Sequence, residues 1–304
     1  MKRTATDKQR RVLILGGTGM LGHIIVRHLF EETRHDVWAT ARNINAIDAY
    51  FYPELISRFW NHNVDADDFD SIARAMTAIQ PDIVINCIGI IKQVPISDDP
   101  LISITVNSQL PHRIAKISKM IGARMIHIST DCVFNGKKGM YTEDDIPTAE
   151  DLYGRTKLLG EVTYPHCVTL RTSIIGHEIK SQYGLIEWFL AQTDKVKGYT
   201  RAIYSGFPTI VMAEIISNYV LPNLSLNGLY HVSSEPISKF DLLKIVAEKY
   251  KNKINIEPFD EFVLDRSMKS DLFRCQTGFQ PPGWVELIDI MYRDYQSHRN
   301  FYSR

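Results

Sequence analysis

The chain has 304 residues, and its 35 basic residues balance its 35 acidic residues, so the formal net charge is zero. A neutral chain lacks the basic excess of a protein that coats nucleic acid, and we therefore expect no nucleic-acid partner. Hydrophobic residues make up 44% of the sequence, which is enough for a sizeable core. No apolar run reaches the roughly 18 residues of a membrane span. The four cysteines lie far apart without a CxxC pair, so we expect reduced thiols and a cytoplasmic location.

The first part of the chain alternates apolar runs with amphipathic stretches. Residues 1–10 are polar and basic, and we assign them to a leader segment. Strands are predicted at Val12–Leu15, Asp36–Ala41, Asp82–Cys87 and Arg124–Ser129, and helices between them at Met20–Glu32, Phe69–Ile79 and Ser108–Ile121. Strands that are apolar on both faces and separated by helices indicate a parallel sheet covered on both sides. The predicted fold class is therefore α/β with a doubly wound parallel sheet.

A glycine-rich turn follows the first predicted strand and opens the first helix. Gly16, Gly19 and Gly22 form a GxxGxxG pattern in LILGGTGMLGHIIV. Glycines here let the backbone approach a pyrophosphate, whose charge is met by the amides and dipole at the helix N-terminus. We therefore predict that a dinucleotide contacts Gly16, Thr18, Gly19, Met20, Leu21 and Gly22. The alternative is a glycine-rich turn without a ligand.

The end of the second predicted strand bears on which dinucleotide is preferred. An NAD enzyme usually places an Asp or Glu about 20 residues past the glycines, on the ribose hydroxyl. The chain instead reads ATAR at 39–42, so no acid stands there to repel a phosphate. The planar guanidinium of Arg42 suits the 2′-phosphate of NADP, and we expect NADPH to be favoured over NADH. The alternative is a solvated arginine in a loop.

A tyrosine and a lysine in DLYGRTKLLGE carry the predicted chemistry. Tyr153 and Lys157 are four residues apart, so on a helix they share one face. A tyrosine has an unperturbed pKa of about 10, and a neighbouring ammonium favours its phenolate and so eases proton exchange. Taken alone, YxxxK more often marks a solvated pair on a helix. Its place after Arg124–Ser129 and STDCVFNG, behind the glycine turn, favours a catalytic pair.

The second half of the chain continues the pattern and then loosens it. Cys167–Gly176 and Asn227–Ser233 are predicted strands, Leu185–Thr193 is a predicted helix, and GFPT at 206–209 opens another helix. Ligands of such sheets bind at the carboxyl ends of the strands. We predict a dinucleotide-binding domain over 11–176, rejoined by about 207–233, and a smaller C-terminal α/β substrate domain over 177–206 and 234–304.

The motifs together resemble those of the extended short-chain dehydrogenase/reductase family. Within it the chain is most similar to the dTDP-4-dehydrorhamnose reductase type, on STDCVFNG, YGRTKLLGE, LRTSIIG, SGFPT and GLYHVS in that order. The resemblance covers nearly the whole chain. It implies a Rossmann fold, an NAD(P)-dependent oxidoreductase and a nucleotide-sugar substrate, and by family habit it allows a homodimer.

The resemblance also implies roles for individual residues. Thr130 would hydrogen-bond the substrate carbonyl, Tyr153 would protonate it, and Lys157 would bind the nicotinamide ribose while lowering the pKa of Tyr153. Asn107 matches a helix asparagine that supports the proton relay, although a helix cap or a satisfied core amide is the alternative. Asp65 matches an acid near the adenine, with a helix N-cap as the alternative. The segment lining the cofactor ribose matches Asn86, Cys87, Ile88 and Gly89.

Two departures from the family pattern bear on the reaction and the substrate. Sugar-nucleotide 4,6-dehydratases carry an Asp-Glu pair after the threonine, whereas this chain has Asp131 and Cys132, so elimination lacks its base and carbonyl reduction is favoured. Where rhamnose reductases carry a more charged segment, this chain reads IIKQ at 90–93, so we expect a different sugar pocket. Substrate contacts are predicted at Lys92, Gln93, Thr130, Asp131, Tyr183 and Arg266.

Four of these substrate assignments have an alternative, whereas Thr130 has none and Arg266 aligns with the family's C-terminal arginine segment. Lys92 and Gln93 also fit a solvated loop, Asp131 also fits a residue that closes the turn, and Tyr183 also fits the core. No HExxH or CxxC grouping appears, so no metal is expected.

The sequence predicts NADPH-dependent reduction of a nucleotide-linked 4-keto deoxysugar for cell-envelope polysaccharide, such as lipopolysaccharide O-antigen. One alternative is an epimerase that retains NAD, against which the absent acid after the second strand argues. The other is a non-catalytic regulatory subunit on the same fold. Such a subunit can lose its catalytic residues, whereas Thr130, Tyr153 and Lys157 are all present here.

Overall fold

A computed structural model describes residues 8–48, 50–179 and 182–302 of the chain. Residues 1–7 of the predicted leader segment lie outside the described residues. Arg10 is attached to the fold, because its guanidinium donates a hydrogen bond to the carbonyl oxygen of Leu221 at 2.7 Å.

The strands and helices alternate through the first half of the chain and are shorter in the second. The strands are β1 (Arg11–Leu15), β2 (Asp36–Ala39), β3 (Ile83–Asn86), β4 (Arg124–Thr130), β5 (Cys167–Thr172), β6 (Ile174–Ile175), β7 (Val196–Tyr199), β8 (Ala202–Tyr204), β9 (Phe207–Pro208), β10 (Gly228–His231), β11 (Ile237–Ser238), β12 (Ile256–Phe259) and β13 (Leu264–Asp265). The helices are α1 (Gly22–Glu32), α2 (Pro53–Ile56), α3 (Phe69–Ile79), α4 (Pro100–Ser103), α5 (Leu110–Met120), α6 (Leu152–Leu159), α7 (Leu185–Leu190), α8 (Thr209–Ile215), α9 (Lys239–Tyr250), α10 (Asp271–Thr277) and α11 (Trp284–Ser297). Within the described residues, no helix is both long and apolar enough to cross a membrane.

The central layer is a six-stranded parallel sheet in the order β10, β5, β4, β3, β1, β2. Successive side chains of a strand point to opposite faces, so both faces of β1 and β3 need cover. Leu13 and Val84 pack with α3 and α5 on one face, whereas Ile14 and Ile85 pack with α1 and α8 on the other. The predicted α/β fold with a doubly wound parallel sheet is confirmed.

The helix α3 shows how local chemistry sets an element's ends. Its predicted bounds are the observed ones, because the carboxylate of Asp68 caps the first turn by accepting from the backbone N–H groups of Asp70 and Ser71. The next predicted helix differs from the structure. A π-helical stretch, Ile104–Gln109, precedes α5, and the predicted start at Ser108 falls inside that stretch.

The predicted strand Cys167–Gly176 is divided in the structure. β5 ends at Thr172, and β6 pairs in parallel with β9 instead of continuing the large sheet. β10 returns to the large sheet as the neighbour of β5. The remaining short strands form a sheet of β11, β8 and β13 and a pair of β12 and β7. The division of the chain into two domains stays a prediction.

Candidate active site

The glycine turn between β1 and α1 is built for close backbone packing. Gly16 has a φ of 82°, in the left-handed region that favours glycine. A Cβ on Gly22 would collide with the carbonyl oxygen of Gly16, so only glycine lets the helix start this close to the turn. A Cβ on Gly19 would meet only the same oxygen, at 3.4 Å, and Gly19 is exposed. Gly19 therefore leaves one part of the turn open to solvent.

The segment after β3 lies against this turn. The backbone N–H of Cys87 donates to the carbonyl oxygen of Leu15 at 3.0 Å, and the side-chain oxygen of Asn86 accepts from the N–H of Ile88 at 3.1 Å. Burial raises the pKa of the Cys87 thiol to about 12, and the charge of Lys157 opposes the shift. Cys87 is therefore a neutral thiol at physiological pH.

Asn107, in the π-helical stretch, fixes the end of the same segment. Its side-chain oxygen accepts from the N–H of Ile90 at 2.9 Å, and its amide nitrogen donates to the carbonyl oxygen of Ile90 at 3.2 Å. A Cβ on Gly89 would lie 3.4 Å from the Asn107 oxygen and 3.7 Å from Nζ of Lys157. Asn107 is thus a satisfied buried amide that holds the backbone next to Lys157.

Tyr153 and Lys157 lie on α6, which begins where the Asp151 carboxylate accepts from the N–H of Gly154 at 2.7 Å. The ammonium of Lys157 donates to the carbonyl oxygen of Ile128 in β4 at 2.8 Å. Thr130 ends the same strand, is buried, and accepts from the N–H of Cys132 at 3.1 Å. The three predicted catalytic side chains are therefore brought to one end of β4.

Burial shifts the proton affinities of both α6 groups. It raises the pKa of Tyr153, with the neighbouring Cys132 and Asp131 adding to the shift and the hydroxyl of Thr130 opposing it. It lowers the pKa of Lys157 to about 8, against the charge of Glu161. At neutral pH the tyrosine hydroxyl therefore keeps its proton while the lysine remains mostly an ammonium.

Arg266, from the segment after β13, meets the catalytic end of β4. Its Nε donates to the carbonyl oxygen of Phe134 at 2.8 Å, and its Nη1 lies 3.3 Å from Sγ of Cys132. Burial raises the pKa of Asp131, and the charge of Arg266 opposes the shift. Arg266 also lines an open cavity of about 340 Å³ together with Asn135, Glu150 and Asp151. The lining of this cavity thus carries one guanidinium and two carboxylates.

The other predicted substrate residues lie at different distances from this cavity. The ammonium of Lys92 pairs with the Asp151 carboxylate at 2.7 Å, which brings it to the rim. Gln93 is exposed in the same turn. Tyr183 is half exposed and precedes Gly184, where an added Cβ would lie 2.8 Å from Cε of Met20, so it stands beside the glycine turn.

The two remaining cofactor assignments lie on loops. Arg42 is exposed. Arg42 lies two residues after Thr40, whose carbonyl oxygen accepts from the N–H of Gly17 at 2.8 Å, so a hydrogen bond joins this loop to the glycine turn. Asp65 accepts from the N–H of Asp67 at 3.2 Å and so braces its own turn; the N-cap of α3 is Asp68.

Three charged residues near the site were missed from the sequence. Glu161 and Arg171 form a buried ion pair with two contacts of 2.7 Å, and Ser129 donates to the same carboxylate at 2.7 Å. Lys239 is the first residue of α9, and burial lowers its pKa while the charges of Asp131 and Cys132 oppose the shift. An arginine inside the apolar run CVTLRTSIIG was a signal for the ion pair, whereas Lys239 carried none.

The fold and the site together define the class of this protein. A parallel sheet with a glycine turn after its first strand, and a tyrosine–lysine pair on a helix beside β4, is the arrangement of an extended short-chain dehydrogenase/reductase. The family model described as RmlD substrate binding domain matches residues 10–295. The chain belongs to this family. Among the described residues, no group of three or more His, Cys, Asp or Glu is placed to hold a metal ion.

Curated relatives carry two kinds of name. The bovine methionine adenosyltransferase 2 subunit beta is 30% identical over 323 residues, which cover 95% of this chain and 92% of that protein. The mouse protein of the same name is 31% identical over 152 residues, which are 50% of this chain and only 42% of the mouse protein. The probable low-salt glycan biosynthesis reductase Agl14 of Haloferax volcanii is 27% identical and covers 73% of this chain and 74% of that protein.

Solved structures share the fold across nearly the whole chain. A dTDP-4-dehydrorhamnose reductase of Bacillus anthracis, crystallised with NADP, has a TM-score of 0.76 at 21% identity and covers 95% of this chain and 100% of that chain. A hypothetical dTDP-4-dehydrorhamnose reductase of Sulfolobus tokodaii has a TM-score of 0.73 at 26% identity, with coverage of 90% and 98%. The enzyme WbmG of Bordetella bronchiseptica, crystallised with NAD, has a TM-score of 0.76 at 18% identity, with coverage of 97% and 97%. The predicted membership of the extended short-chain dehydrogenase/reductase type is confirmed by the family match and the shared fold.

Proposed function

We propose that the protein reduces the keto group of a nucleotide-linked 4-keto deoxysugar with NADPH. The observation that carries the proposal is the convergence of Thr130, Tyr153 and Lys157 at the end of β4, beside a cavity that Arg266 lines. The family match, the reductases of Bacillus anthracis and Sulfolobus tokodaii, and the glycan reductase of Haloferax volcanii support it. The protein has no net charge, so a local cation is needed to bind a polyanion, and the guanidinium of Arg266 at the cavity suits the diphosphate of such a substrate.

The glycine turn fits a nicotinamide dinucleotide. Gly16 needs a left-handed φ, Gly22 has no room for a Cβ, and Gly19 is open to solvent, which together form a cradle of backbone at the start of α1. NADP and NAD in the crystals of two structural neighbours support this class of cofactor. When bound, the nicotinamide supplies a hydride to the substrate carbonyl carbon.

The side chains of this protein then bind and protonate the carbonyl oxygen of the substrate. The Thr130 hydroxyl, which donates to the Asp131 carboxylate at 3.1 Å in the structure, would turn its hydrogen to the substrate oxygen and polarise the carbonyl. Tyr153, which burial keeps protonated, transfers its hydroxyl proton to the same oxygen. The Lys157 ammonium, held by the Ile128 carbonyl, stabilises the phenolate that remains and binds ribose hydroxyls of the cofactor. Asn107 keeps the backbone beside Lys157 in place.

The activity should fall as the pH rises above about 8. The pKa of Lys157 is lowered to about 8, so its ammonium is present below that pH and is lost above it, whereas the raised pKa of Tyr153 keeps the phenol protonated. We therefore expect kcat/KM for NADPH to decline with a slope of one on a logarithmic plot above this pH. Lys157→Arg is the control, because a guanidinium does not titrate there. A decline of kcat/KM with rising pH that persists unchanged in Lys157→Arg would contradict the assignment of this decline to Lys157.

Arg42 should set the preference for NADPH. Replacing it with alanine removes a charge-assisted bond to the 2′-phosphate, so kcat/KM for NADPH should drop about ten- to a hundredfold while the value for NADH stays constant. Arg34→Ala is the matched control, because Arg34 is also exposed but precedes β2 at its opposite end. Equal losses with both cofactors, or no loss with NADPH, would refute this role.

The assay for the proposal follows the oxidation of NADPH, by the loss of the absorbance of reduced nicotinamide, in the presence of dTDP-, GDP- and UDP-linked 4-keto sugars. We expect oxidation that requires one of these sugars. An epimerase would retain its cofactor and consume no net NADPH. We also propose a cytoplasmic location, a homodimer and a role in O-antigen synthesis, which cell fractionation, sedimentation and gene deletion test in turn.

A second candidate function is that of a subunit in a methionine adenosyltransferase. It is favoured by the 30% identity to the bovine methionine adenosyltransferase 2 subunit beta across 95% of this chain. A pulldown with the tagged protein, followed by an assay of S-adenosylmethionine formation in the eluate, tests this candidate. Adenosyltransferase activity that co-purifies with a protein inert towards all the keto sugars would favour the subunit.

A further inference from the structure

A chain of hydrogen bonds links the glycine turn to the last described residue. His23 of α1 is fully buried, and its Nδ1 lies 2.8 Å from the carbonyl oxygen of Gly19. Its backbone N–H donates to the same oxygen at 3.0 Å. Its Nε2 lies 3.1 Å from the hydroxyl of Tyr302. Gly19 is therefore held twice by one residue, and that residue is held in turn by Tyr302.

The donor and the acceptor in each of these hydrogen bonds follow from the carbonyl oxygen of Gly19, where the series begins. The carbonyl oxygen of Gly19 only accepts, so Nδ1 of His23 must carry a hydrogen and donate it. Burial lowers the pKa of His23 to about 4, so the ring is neutral and its Nε2 is an acceptor. The hydroxyl of Tyr302 must then donate to Nε2. One arrangement of hydrogens satisfies all three groups.

Tyr302 is itself fixed by its neighbours. Its ring centroid lies 5.2 Å from that of His177 and 5.4 Å from that of Tyr295. The preceding Phe301 is buried and meets the ring of Phe51 edge to face at 5.7 Å. The hydroxyl is therefore held in place before it bonds to His23, and little side-chain entropy is lost in making the bond.

We propose that Tyr302 positions the glycine turn for the cofactor and acts through His23. The inference rests on the proposed function, because it takes the turn to bind a nicotinamide dinucleotide. Glycine-rich backbone loses much conformational freedom when a ligand orders it. Bonds that already fix the carbonyl of Gly19 reduce that loss and keep the neighbouring amides turned towards the ligand. Tyr302 thus raises nucleotide affinity without touching the nucleotide.

The test compares Tyr302→Phe with Tyr250→Phe. Tyr250 belongs to the same aromatic cluster, and its hydroxyl lies 2.8 Å from Nε2 of His177, whose ring packs near that of Tyr302, whereas the hydroxyl of Tyr302 bonds to His23. In Tyr302→Phe the Kd for NADPH, measured by fluorescence titration, should rise about three- to tenfold, with kcat at saturating NADPH unchanged. Tyr250→Phe should bind NADPH like the wild type. Equal Kd values in all three proteins, or equal weakening in both variants, would overturn the proposal.

A second measurement separates this proposal from the proposed function. Hydrogen exchange of the Gly19 and His23 amides, recorded without nucleotide, should be faster in Tyr302→Phe than in Tyr250→Phe, because the turn opens more often. Unchanged exchange would overturn the coupling. A wild type that binds neither NADPH nor NADH would refute the proposed cofactor while faster exchange still supports the coupling. In a His23→Phe background, Tyr302→Phe should add no further change, as expected of a residue that acts through His23.

Discussion

Replacing Tyr153 with phenylalanine should lower kcat for the NADPH-dependent reduction by about a hundred- to ten-thousandfold and leave the Kd for NADPH unchanged. Phenylalanine keeps the ring between the residues that surround it but has no hydroxyl proton to give. Burial raises the pKa of Tyr153, so in the wild type that proton is present throughout the neutral range. The loss should therefore fall on kcat at every pH between about 6 and 8.

A matched variant distinguishes the lost proton from a disturbed site. Tyr141 is buried near the same end of β4, stacks on Phe134 at 4.1 Å, and its hydroxyl donates to Asn135 at 3.3 Å. Tyr141→Phe removes a hydroxyl of the same kind and should retain most of kcat. Full activity in Tyr153→Phe would show that another group supplies the proton. Similar losses in both variants would show that packing, and not proton transfer, limits the rate.

Replacing Glu161 with leucine should destabilise the protein by about 3–5 kcal/mol in urea unfolding, because the buried charge of Arg171 would lose the carboxylate that pairs with it. The side chains of the pair are 6% and 5% exposed, and two bonds of 2.7 Å join them. The carboxylate also accepts from Ser129 at 2.7 Å, so its loss leaves a second buried group unpaired. This pair fastens the end of α6 to β4 and β5, and it therefore supports the helix that carries Tyr153.

The double variant Glu161→Leu, Arg171→Met separates the burial penalty from packing. With both charges removed no uncompensated charge stays buried, and most of the lost stability should return. A single variant that loses less than about 1 kcal/mol would contradict the assigned cost. A double variant that is no more stable than Glu161→Leu would also contradict the assigned cost. The single variant should also shift the activity decline to lower pH, because Glu161 raises the pKa of Lys157.

Periodicity and turn chemistry made most of the sheet predictable. The strands β1, β3 and β4 were found within a residue at each end because each is an apolar run bounded by polar or glycine residues. α3 was predicted at its observed bounds because its apolar face repeats every three to four residues behind Asp68. The π-helical stretch at Ile104–Gln109 was not predicted, because a backbone hydrogen bond shifted by one residue leaves no pattern in side chains.

Residues that act through partners distant in the chain could not be predicted from the sequence. Thr130, Tyr153 and Lys157 were predicted because each lies in a short motif, and these motifs follow one another along the chain in a recognisable order. Lys239 and Tyr302 have no such segment. Tyr302 meets His23 across 279 positions of the chain, and only the packing of α1 against the end of the described chain brings them together. Contacts of this kind depend on the fold and are invisible to local patterns.

The central claim is that hydride passes from NADPH to a keto carbon of a nucleotide-linked sugar. Incubating the protein with NADPH deuterated at the transferring position and with each 4-keto sugar, followed by mass spectrometry of the sugar product, tests this transfer directly. We predict deuterium at the former keto carbon of one sugar, with matching formation of NADP and none in Tyr153→Phe. A sugar that isomerises without gaining deuterium, or a panel from which no sugar gains any, would contradict the proposed function.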